Sequence, residues 1–129
     1  MTMFGWFNNP DREAKQLNKD SGAILDSVVK GSPAVVGRAV AEQTQAAIEE
    51  GHKKGRNSPD LYQPIVDHYR TMNADARRNH NQVAMSAFSL TIIYLRAEML
   101  GPKAVPARQA IDEFLASWAH SGEDSKEEA

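Results

Sequence analysis

Cysteine is absent from the 129 residues, which excludes a disulfide framework, cysteine-bound zinc, iron–sulfur clusters and a thiol nucleophile. A domain of this length buries about two thirds of the surface that its unfolded chain exposes, so it folds without such staples. The chain also lacks a basic segment leading into an apolar one at its start, and a cytoplasmic location is the expectation that follows. There is no Gly-rich strand-to-helix turn, no G-x-x-x-x-G-K-S/T loop and no G-x-S-x-G elbow. The usual nucleotide and acyl chemistries therefore have no scaffold here, and no cofactor is expected. No stretch alternates β-branched and polar residues with period two, so strands are not expected either.

Charge of one sign is lacking as well. Lys and Arg number 15 against 17 Asp and Glu. From Gly122 to Ala129 four acidic residues stand against Lys126, a local net charge of −3, which leaves the body with 14 basic and 13 acidic side chains and a charge of +1. A duplex-binding domain draws its affinity from a clustered basic excess, so nucleic acid is not an expected partner. The acidic segment 122–129 reads as a solvated, disordered tail.

What is present is helix punctuation. Asn9-Pro10-Asp11 supplies a capping side chain, a proline at the first helical position and an acid at the positive end of the helix dipole. Ser32-Pro33 and Ser58-Pro59-Asp60 repeat the signature, while Gly31, Gly51 and Gly101 read as stops. The spacing predicts helices over about 10–30, with Ser21-Gly22 as a point where the first would split, and over about 33–50. A turn over 59–62 and a helix from Pro64 follow, because a proline deep inside a helix loses a backbone bond. The next helix is predicted over about 74–100, and the last over about 105–120.

The helix over 74–100 carries two apolar stripes. Met85, Phe88, Ile92, Leu95 and Met99 form one, and Val83, Ala87, Leu90, Tyr94 and Ala97 the other. Such a helix is covered on both sides, at the centre of its domain or at a subunit contact. It is not read as a membrane span, because Val83–Leu95 contains Ser86, Ser89 and Thr91 and is shorter than the ~20 apolar residues a bilayer requires. The fold expected is an all-α bundle of four to five helices around a central hydrophobic helix, occupying 10–121 between an N-terminal aromatic segment, 1–9, and the acidic tail.

Four constellations are candidates for function. Phe4, Trp6 and Phe7, with Met3, precede the first cap; they fold back on the core or staple the first helix, anchor a partner protein, or touch a membrane surface. Of these, partner binding is the reading adopted for Phe4, Trp6 and Phe7. Lys53, Lys54 and Arg56 flank Gly55, whose backbone freedom would let the turn hold an anion; Arg77, Arg78 and His80 form a weaker basic cluster. Tyr62, His68 and Tyr94 are candidates to line a pocket, with His68 as its proton-transfer group. Glu49 and His52 have the spacing of a helix-borne metal pair, but a second copy is missing and Gly51 is expected to end the helix between them, so no metal is expected.

No catalytic set emerges. The expectation is a small non-enzymatic helical module that binds another protein or itself. One alternative is a cytosolic inhibitor that blocks a partner protein, steered by the acidic tail. The other is a small bundle enzyme or ligand carrier with its pocket at Tyr62, His68 and Tyr94.

Overall fold

The computed structural model describes residues 9–128, with side chains from Asn9 to Trp118. The aromatic residues Phe4, Trp6 and Phe7 lie outside the described residues, and the acidic tail 122–129 lies outside those whose side chains are described. Among the described residues the chain is all-α: α1 Pro10–Gly31, α2 Ala34–Lys54, α3 Tyr62–Arg78, α4 Gln82–Leu100 and α5 Val105–Glu128, with 3-10 turns at Pro59–Leu61 and Gly101–Ala104.

Of the three capping signatures, the first works through its side chain. Asn9 accepts from the Asp11 and Arg12 N–H groups at 3.0 and 3.4 Å, with Pro10 at the first helical position. Ser32 and Ser58 make no such bond; Pro33 itself is the residue before α2, and Ser58 leads into the 3-10 turn. Gly22 does not split α1, since Ser21 is buried and satisfies its hydroxyl on the Asn18 carbonyl at 3.0 Å. Gly51 does not end α2, which continues to Lys54. It is buried, and an added Cβ would come within 3.1 Å of Leu95, so this glycine serves close approach to α4.

The third helix begins at Tyr62 rather than Pro64. Pro64 then falls in the first turn, where its missing N–H would have had no intrahelical partner anyway. The boundary between α3 and α4 differs more: residues 74–78, expected to open the central helix, close α3 instead. His80 turns the chain in the left-handed region at φ 55°, and Asn81 caps α4 by accepting from the Ala84 N–H at 3.1 Å. An Asn-His-Asn break carries neither glycine nor proline, which is why helical periodicity ran through it.

The central position of α4 is observed. It touches each of the other four helices, and Ala87, Leu90, Thr91, Leu95 and Ala97 are fully buried in it. The others surround it in the order α1, α5, α2, α3. Neighbours touch along this ring, except that α3 and α1 make no contact among the described residues. The seam between them exposes part of one apolar stripe, with Met85 and Ile92 half-buried. Gln82–Trp118 is long and apolar enough to cross a membrane by length and composition only; in this fold half of its apolar window is buried, and the chain turns at Gly101 to bring α5 back along α4.

Polar groups in the core are satisfied locally. Thr44 and Thr91 donate to the carbonyls four residues earlier, at 2.6 and 2.8 Å. Asn18 crosses between helices: it accepts from the Ala107 N–H at 2.9 Å and donates to the Lys103 carbonyl at 3.3 Å, so α1 caps the start of α5.

Candidate functional site

Two features stand out, at the top of the bundle and along its open seam. At the top, where α2 and α4 end and α3 and α5 begin, four helices converge on a polar cluster. His52 Nε2 lies 2.5 Å from Glu98 Oε1, with the two side chains 27% and 15% exposed. The His52 ring stacks on Tyr62 at a centroid distance of 5.8 Å and tilts against Tyr94 at 6.0 Å. Tyr94 donates to Asp112 Oδ1 at 2.9 Å, and the Arg108 guanidinium sits 5.8 Å from the Tyr94 ring centre. Arg108 Nε is buried without a hydrogen-bond partner.

Burial and the acids around them raise both phenols. Tyr62 is held above its ordinary range by desolvation and then by the charge of Glu98. Tyr94 is pushed up to about 12, by burial first and by its bond to Asp112 second. Both therefore stay protonated at neutral pH and act as donors, not bases. Glu98 in turn fixes the orientation of the His52 ring between the two phenols.

The structure brings Tyr62 and Tyr94 together, but through His52 rather than His68. His68 is exposed on α3 and lines a separate groove with Gln43, Glu50 and Lys54 of α2. Sequence spacing does not reveal His52's partner, because Glu98 is 46 residues away. No group of three or more His, Asp or Glu suited to a metal occurs among the described residues.

The basic turn has a different construction from the one expected. Gly55 has an ordinary φ of −85°, and it is Arg56 and Asn57 that take left-handed angles, 54° and 57°. Gly55 is required for space, since an added Cβ would lie 2.6 Å from the buried Tyr62 ring. Lys54 pairs with Glu50 at 3.2 Å, while Lys53 and Arg56 are exposed. Arg77 and Arg78 close the other end of α3, about 24 Å from Tyr62 along the axis, so the two basic clusters do not form one surface.

Along the seam, α1 and α4 form a groove of about 480 Å³ with a second hollow of about 260 Å³ continuing it. Its floor is Leu17 and Ile24 of α1 with Ile92 and Ile93 of α4; Ala23, Ile24 and Ser89 belong to both parts. Glu13 pairs with Arg96 at one end, Asp20 lies on the α1 rim and Arg70 on the α3 side, so two acids and two bases line it. Burial pulls the Arg96 guanidinium below its ordinary range. None of these groove residues carries a functional signature in the sequence, because a gap in a ring of helices leaves no mark in periodicity.

No family model matches the chain, and no curated protein or solved structure matches it.

Proposed function

We propose that this protein is a small binding module that engages another polypeptide, of its own kind or a different one, along the seam between α1 and α3. The observation that carries this reading is the open ring: α4 bears two apolar stripes, four helices pack around it, and the strip from Met85 to Arg96 is left as a groove with an apolar floor and a polar rim. Grooves of this composition accept the apolar face of a helix or an extended segment. Ser89 lies at the junction of its two parts, half-buried and accepting from Asn73 Nδ2 of α3 at 3.0 Å, so an arginine there fills the groove where its two parts meet. Native mass spectrometry of the protein from its own cells, beside the Ser89→Arg variant, tests the reading. A second polypeptide bound to the parent chain and lost from a variant of unchanged helical circular dichroism is the expected result; a bare chain, or a partner retained by the variant, overturns it.

A second reading, a ligand carrier or small enzyme, is favoured by the His52–Glu98 pair between two protonated tyrosines. It is distinguished by a small bound mass that disappears in His52→Ala and persists in Ser89→Arg.

A further inference from the structure

The groove opens beside the point where the chain enters α1. Asn9 caps that helix, and the Glu13–Arg96 pair that marks the near end of the groove lies one turn further on. Ahead of Asn9 stand eight residues, MTMFGWFN, with five large apolar side chains and no charged one. Fully extended they reach about 27 Å, whereas the groove runs about 16 Å along α4 from Arg96 to Met85. A staple on α1 is not open to them: with Asn9 as cap, the positions that a staple pairs are Asn8 and Glu13, both polar. The charges lining the groove balance, which suits a neutral apolar occupant and gives a strongly charged one no advantage.

We propose that residues 1–8 are the resident occupant of this groove, in the same chain, so that a partner polypeptide gains the site by displacing them. The displacement rests on the docking reading above; the residency does not, and it is tested on the isolated chain.

The absence of cysteine makes the test clean. In the full chain, Gly5→Cys is paired with Gln16→Cys on the groove rim or with Lys15→Cys, one residue away and absent from the groove lining. Gly5 reaches about 14 Å from Asn9, and both targets lie within about 11 Å of it along the helix, so tether length favours neither. Their side chains point about 100° apart, so docking favours Gln16 alone. Under mild oxidation of dilute protein, the Gln16 pair is expected to close within one chain about tenfold faster than the Lys15 pair. That advantage is expected to vanish when Phe4→Ser, Trp6→Ser and Phe7→Ser are added, changes outside the helical body. Equal rates, no closure in either pair, or disulfide-linked dimers as the main product each overturn the proposal, the last in favour of a second copy as occupant. A partner lost from Ser89→Arg while the two pairs close equally fast would remove the resident segment and leave the docking site standing.

Discussion

At Gly22 and Gly55 a hydrogen stands where other residues carry a Cβ, with opposite consequences. Gly22 lies exposed inside α1, and nothing is within 4 Å of a Cβ built there. Gly22→Ala is therefore expected to stabilise the protein by about 0.5 to 1 kcal/mol, since alanine restricts the unfolded chain and favours the helix. A urea melt reads this as a higher midpoint at unchanged slope. Gly55→Ala drives a methyl into Tyr62, whose ring is 1% exposed and stacked on His52. The ring has nowhere to go, and the same melt is expected to show a loss of about 1 to 3 kcal/mol. Both glycines were visible in the sequence. Which one tolerates a methyl was not, because the answer is set by a residue from another helix.

At the scale of elements, the helices were read from local signals and their ends from tertiary ones. Asn9-Pro10 and the Pro59 turn fell where the sequence placed them, because cap and proline geometry act within a few residues. The α3–α4 break did not, since no strong breaker marks it, and the start of α3 did not, since Pro64 fits the first turn of a helix as well as it would open one. The start of α5 shows the mechanism most directly: the side chain satisfying its Ala107 N–H is Asn18, which stands 89 residues away on α1. Asn18→Ala removes that bond and the one to Lys103, and is expected to cost about 1 to 2 kcal/mol. Hydrogen exchange should report the loss as faster exchange in the first turn of α5, while the middle of α4 changes only with global stability. Uniform acceleration across α5 and α4 would show instead that Asn18 is not a local clamp.

Over the whole molecule, the polar cluster at the top ties α2, α3, α4 and α5, and its ionisation links stability to pH. Tyr94 titrates near its ordinary value of 10 in the unfolded chain and at about 12 in the folded one. Its contribution is fully present below pH 10 and is lost as pH rises through 12, because the unfolded chain releases the proton first. The shift corresponds to about 2 to 3 kcal/mol. Tyr94→Phe is accordingly expected to flatten the fall in stability between pH 10 and 12, and parallel curves for the two proteins would contradict the assignment. The second property at this scale is the open seam, which belongs to no single helix: it exists because α3 and α1 both pack on α4 and not on each other.

The sequence by itself determined the helical class, the central place of α4 and the absence of cysteine chemistry, since composition, caps and apolar period act locally and survive any packing. Tertiary structure alone decided that His52, not His68, meets Tyr62 and Tyr94, and that Gly51 and Gly55 are packing glycines rather than stops or hinges. It likewise decided that the apolar stripes of α4 are unequally covered. Periodicity tells which side of a helix avoids water. Which neighbour covers that side, and where a ring of neighbours fails to close, depends on contacts between residues tens of positions apart.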